Sequence, residues 1–258
     1  MSEMSAADSG AINDARDEGS ENIPAIGLYT RVELLNKEKH GKLCMKPMES
    51  MAFASKMNSI VVTVSEFSSA ARDYPIVFAE ANDKIMPYAV TGYKQNENVY
   101  VDENGHWRPN HYIPAFLRRY PFIFMENSES NSLSLCIDLD CPLLSEQDGE
   151  PLYEGDKPSH LIEKAVEFSK AFHAEAEKTA QFCNHMKELD LFMIQNAKFK
   201  TPDEKGAEET VVAGFMVIDE KRLEALSDEE FLKLRKTKAL GLIYSHLLSM
   251  RSWANVMN

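Results

Sequence analysis

Beyond Pro158 the chain sets Leu161, Ala165, Phe168, Phe172, Ala176, Thr179, Cys183 and Met186 at intervals of three and four. That spacing lines one face of an α-helix, so a long amphipathic helix is predicted, with Ser159 as its N-cap and charged residues opposite the stripe. Upstream, from about Ile26 to Leu144, the period shortens. "SIVVTVS" (59–65), "YPIVFAEA" (74–81), "MPYAVTGY" (86–93), "NVYVDENGHW" (98–107), "YPFIFME" (120–126) and "LSLCIDL" (133–139) are β-branched or aromatic runs. Turn signals such as "ND" at Asn82–Asp83 and "ENG" ending at Gly105 divide them, which predicts a compact antiparallel sheet or a small barrel.

Downstream of the long helix, "LDLFMIQNAKF" and "ETVVAGFMVID" read as two strands. "KTPDEKGAE" separates them, which predicts a long-looped hairpin. A short helix follows Asp219. Ser227 with Glu230 forms an S-x-x-E capping box that opens another, running with or without a break through "ALGLIYSHLLSMRSW". Ser249, inside that helix and at no cap, is expected to matter less to stability than Ser227. The class is α+β, strand-rich over 25–145 and helix-rich over 158–258, and 25–258 is read as a single domain. Residues 1–24 are acidic, small and polar without periodicity, and read as a disordered tail.

Charge changes the picture by exclusion. A net charge of -13 opposes attraction to nucleic acid or an anionic membrane surface, so no nucleic-acid partner is expected. No apolar run reaches the ~20 residues of a membrane span. The first residues carry neither a basic start nor an apolar core, so no secretory signal is expected and the location is read as cytoplasmic. The cysteines Cys44, Cys136, Cys141 and Cys183 form no CxxC and are read as free thiols.

Chemistry is sparse. Phosphate-binding glycine loops, the G-x-S-x-G elbow, HExxH and the EF-hand pattern are all absent, so neither a cofactor nor a catalytic residue is named. His106 and His111 lie close together in sequence but lack a third ligand for a metal. His246, alone on a helix, reads as a hydrogen-bonded structural residue, and His173 with Glu177 as a surface pair one turn apart. In "CIDLDCP", Asp138 and Asp140 share a face if the strand stays extended, which suits acid–base work, a cation, a turn cap or a counter-charge for arginine.

The densest cluster is "HYIPAFLRRYPFIFM" (111–125). Its prolines frame "AFLRRY" as a single helical turn with Pro114 near the start and Phe116 and Tyr120 on one side. Arg118 and Arg119 then point in different directions. One is expected to pair with Asp138 or Asp140, because a guanidinium holds a carboxylate through two hydrogen bonds. The other is left for water or a ligand.

These segments, with "YAVTGYKQNENVYVDENGHWRPNHYIPAFLRRYPFIF", "LCIDLDCPLLSEQDGEPLYEGD" and "ALGLIYSHLLSMRSW", resemble the bacterial SapC family from about Pro47 to the C-terminus. The resemblance implies an association with surface-layer formation and serum resistance. It also implies gene neighbours encoding tryptophan-halogenase-like flavoproteins, cupin-type oxygenases and TonB-dependent receptors. It carries over no catalytic residues.

Two functions follow as expectations. The first is a noncatalytic accessory or binding protein that recognises a protein or peptide partner in a pathway modifying or exporting surface components. Its interaction candidates are Trp107, Phe116, Arg118, Arg119 and Tyr120. The alternative is an enzyme or enzyme subunit with a small-molecule or metal site built from Asp138, Asp140, His106, His111 and Arg118, linked to halogenase- or cupin-type partners.

Overall fold

The computed structural model describes residues 28–81, 83–127, 132–203 and 206–257. The tail 1–24 and most of the "NSESNS" loop lie outside them.

The first strands are β1 (Val32–Leu34), β2 (Cys44–Met45), β3 (Ser59–Val61), β4 (Ile76–Ala81) and β5 (Lys84–Val90). After them come β6 (Phe122–Asn127) and β7 (Ser132–Asp138), then the two-residue strands β8 (Leu144–Ser145), β9 (Glu150–Pro151), β10 (Tyr153–Glu154) and β11 (Lys157–Pro158). Last come β12 (Phe192–Asp203) and β13 (Gly206–Ile218). Short helices α1 (Lys37–His40), α2 (Phe67–Ala70) and α3 (Ala115–Arg118) punctuate this order. The long α4 (His160–Glu188) precedes β12, and α5 (Glu220–Glu224), α6 (Asp228–Lys236), α7 (Ala239–Ser249) and α8 (Trp253–Val256) close the chain.

The strands form separate antiparallel sheets, with no closed barrel among the described residues, and the largest takes β12 and β13 from the C-terminal half. The largest has the order β12-β13-β4-β5-β3, and a second runs β1-β7-β6. Helix α4 joins them, packing on β5 of the first and β6 of the second. Its stripe explains how: Ile162 enters one hydrophobic cluster with Phe122 and Ile137. Phe172 enters another with Phe116 and Tyr120, and Phe182, Cys183 and Met186 enter a third with Phe67, Phe78 and Ile243. A helix of 29 residues is about 43 Å long, enough for one apolar face to serve three clusters.

Four expectations are corrected. The strand at 59–65 stops at Val61, because the Glu66 carboxylate accepts the Thr63 N–H and hydroxyl and turns the chain into a 3₁₀ helix. Over 98–107 only Val101 and Trp107 form a bridge. There Asp102 Oδ1 accepts the Asn104 and His106 N–H groups, diverting amides that a strand would have used, while Gly105 takes φ 82° as the turn requires. The hairpin of β12 and β13 is not long-looped: its register runs to Asp203↔Gly206, so "KTPDEKGAE" supplies strand on both sides. Finally, Ser159 occupies the N-cap of α4 with extended dihedrals, but its side chain makes no capping bond and its hydroxyl is buried without a partner.

Candidate functional site

The turn α3 forms as its prolines dictate: Pro114 is the N-cap residue, with ψ 140°, and Phe116 and Leu117 are fully buried. Phe116 and Tyr120 face the same way, both packing edge-on against Tyr29 at 5.9 and 5.5 Å between ring centroids. The two arginines diverge, but neither meets a described carboxylate. Arg119 is inserted among aromatic rings, its guanidinium carbon 4.2 Å from the Phe172 centroid and 4.8 Å from that of Phe116. Its Nε is buried without an acceptor, and burial pulls its pKa down. The flat, weakly hydrated guanidinium tolerates this because ring faces carry negative charge density.

The expected link to the acidic pair is therefore wrong, and the reason is β1. Paired antiparallel to β7, β1 brings Thr30 and Arg31 to the end of that strand. The fully buried Asp138 accepts the backbone N–H of Thr30 (3.1 Å), Arg31 (2.9 Å) and Asp140 (3.2 Å). Asp140 is exposed and takes the Arg31 Nε (2.9 Å) and the Thr30 hydroxyl (2.9 Å). A buried carboxylate must find donors, and the amides of Thr30, Arg31 and Asp140 supply them to Asp138, while the Arg31 guanidinium goes to Asp140. The turn meets Asp138 through the Tyr120 phenol, whose hydroxyl lies 3.4 Å from Oδ2, and through the Pro121 carbonyl, which accepts the Asp138 N–H at 3.0 Å.

Nor do the histidines join the aspartates. Exposed His106 pairs with Asp102 at 3.5 Å, and the His111 Nδ1 faces the Pro109 carbonyl at 2.9 Å. Trp107 stacks on Tyr100 at 6.0 Å, and His111 meets the same ring at 5.4 Å, edge-on. Among the described residues no three His, Cys, Asp or Glu side chains form a metal-holding group.

The structure assembles instead a site centred on Tyr112, which the sequence reading did not single out. Its hydroxyl donates to Glu66 Oε1 (2.9 Å), its N–H donates to Asp73 Oδ2 (2.7 Å) and its carbonyl accepts the Tyr74 hydroxyl. Burial, reinforced by Glu66, pushes the Tyr112 phenol up to about 12, so it remains a donor at neutral pH. Glu66 and Asp73 are buried carboxylates satisfied within this network, and Asp73 is held by Arg72 through two bonds of 2.9 and 3.2 Å. A T-x-x-E capping pattern at Thr63–Glu66 was the one local signal that a carboxylate would be fixed here.

Arg118 lies exposed against this anchor. Its Nη2 donates to the Tyr112 hydroxyl (3.1 Å) and its Nε to the Ile113 carbonyl (3.0 Å). Its guanidinium carbon lies 5.6 Å from the Tyr112 ring and 5.4 Å from Phe168 of α4. Tyr112 also lines an open cavity of about 400 Å³ with Ser68, Ser69, Arg72, Asn110 and His111. The face thus offers two arginines, hydroxyls and aromatic edges on a chain that is acidic overall.

Fold and site together define an α+β protein with an aromatic face carrying cations, and no described helix is long and apolar enough to cross a membrane. The chain matches the SapC family over residues 35–256 and belongs to that family. No curated protein and no solved structure matches it.

Proposed function

We propose that this SapC-family protein is a binding or accessory protein that recognises a protein or peptide partner through the face around Arg118. The observation that carries the reading is the state of that residue. It is exposed, held by Tyr112 and Ile113, flanked by Tyr112 and Phe168, and free of any carboxylate among the described residues. An arginine fixed between aromatic side chains retains N–H donors for a partner's carboxylate or carbonyl, and little side-chain entropy remains to be lost on binding. Family membership supports a role in a bacterial pathway that modifies or exports surface components, and the partner is sought in the cytoplasm.

Affinity capture from the native bacterium, with wild-type and Arg118→Glu proteins compared, tests the reading. A partner retained by wild type and lost from the variant is the expected result. Recovery of nothing above background, or equal recovery by both, overturns it.

A further inference from the structure

A second open cleft, at β1, α1 and β8 and distinct from the face around Arg118, has a volume of about 380 Å³. Volumes of this order are typical of small-molecule sites, which combine apolar walls with a few convergent polar groups. Leu43, Leu139 and Leu144 supply the apolar wall, together with the buried Cys141, whose thiol is pushed up by burial and so stays neutral. The polar groups are Glu33 on β1, Lys39 and His40 on α1, Arg31 just ahead of β1, and Ser145 and Glu146 at β8.

His40 is the informative one. The ring is only 2% exposed and its orientation is built into the turn. Asn36 caps α1 by accepting the Lys39 N–H at 2.9 Å, and its own N–H donates to His40 Nδ1 at 3.1 Å. A ring nitrogen that accepts carries no proton, so in the neutral imidazole the proton is on Nε2. That N–H, sealed under the outer groups on a ring that lines the cleft, has no hydrogen-bond partner among the described residues. Glu33 Oε2 stands 3.8 Å away, beyond hydrogen-bond reach. A buried donor left unpaired is costly and uncommon.

Donor and acceptor, 3.8 Å apart, select a ligand group. An oxygen about 2.8 Å from each completes a triangle on that base. To bond both it must accept from His40 and donate to Glu33, as a hydroxyl does. A carboxylate cannot donate and would meet the Glu33 charge, and an ammonium cannot accept from His40. The groups on the outer side can rearrange without unfolding, because among the described residues Glu33 Oε2 is otherwise held by Lys39 alone, at 3.3 Å, and the two side chains are 35% and 66% exposed. We infer that this cleft binds a small amphipathic alcohol, its hydroxyl bridging His40 Nε2 and Glu33 and its apolar body lying on Leu43, Leu139 and Leu144.

Three probes with one tail and different heads, 1-hexanol, hexanoate and hexylamine, test it by titration into the ¹⁵N-histidine-labelled protein. With 1-hexanol the His40 Nε2 resonance should move saturably, with a Kd on the order of 1 mM for so few atoms. Hexanoate and hexylamine should bind about tenfold more weakly, and Glu33→Ala, on a half-exposed strand position, should weaken hexanol about tenfold, the effect of one hydrogen bond. No saturable shift up to the solubility limit of hexanol overturns the site. Hexanoate or hexylamine binding as tightly as hexanol, or hexanol binding unchanged in Glu33→Ala, overturns the hydroxyl assignment.

Discussion

His246 completes a sheet, and removing it should show how much that matters. Strands β13 and β4 share a single register pair, Met216↔Phe78. Two residues along, Ile218 and Ile76 would be the next partners, but the imidazole stands between them. The Ile218 N–H donates to His246 Nε2 at 3.0 Å, and His246 Nδ1 donates to the Ile76 carbonyl at 2.7 Å. The ring is fully buried, 5.0 Å from Phe78. His246→Ala therefore strands one amide and one carbonyl in the core and leaves a cavity, for a loss of about 3–5 kcal/mol. Acid should act on the same residue. Burial lowers its pKa from 6.5 to about 4, because the ionised ring would be desolvated. Its ionised form would also turn Nε2 into a donor facing the Ile218 N–H. In the unfolded chain the ring takes up its proton near pH 6.5, whereas the folded protein resists until about pH 4. Between those values the unfolded state binds more protons, so this contribution is intact above pH 6.5 and falls as the pH drops. At about 1.36 kcal/mol per pH unit the window amounts to roughly 3 kcal/mol. Urea unfolding from pH 7.5 to 4 of wild type and His246→Gln, which cannot titrate there, isolates the effect from the carboxylates. The difference between the two should narrow steadily below pH 6.5. Parallel curves through the window would refute the bridging role.

Three further predictions separate local from tertiary effects. Ser227→Ala removes the Oγ that accepts the Glu230 N–H and should cost about 0.5–2 kcal/mol in urea unfolding. Ser249→Ala should cost at least as much, about 1–3 kcal/mol, reversing the expectation from sequence, because its buried hydroxyl accepts the Ile76 N–H at 2.9 Å. Asp138→Ala should cost about 3–5 kcal/mol by unpairing three backbone amides, whereas Asp140→Ala, which breaks an exposed pair with Arg31, should cost about 1 kcal/mol or less. A double-mutant cycle between Arg118 and Asp138 should return no coupling, and a coupling above about 1 kcal/mol would contradict the separation seen here.

The sequence by itself determined whatever depends on near neighbours. The stripe from Leu161 to Met186 gave α4, the alternating runs gave β4, β5, β6 and β7, and Ser227 with Glu230 gave the start of α6. Each rests on residues a few positions apart, where side-chain period and capping chemistry act directly. Even the turn around Phe116 followed from its two prolines, and His246 was legible as structural from its solitude on a helix. The tertiary structure alone decided who answers whom across the chain. Asp138 is met by Thr30 from 108 positions away, and Ile76 by Ser249 from 173. Charge and proximity along the sequence pointed Asp138 toward Arg118 or Arg119. The fold places β1 beside β7, and the buried Asp138 carboxylate is satisfied by backbone amides from that pairing, leaving Arg119 to aromatic rings and Arg118 to the surface.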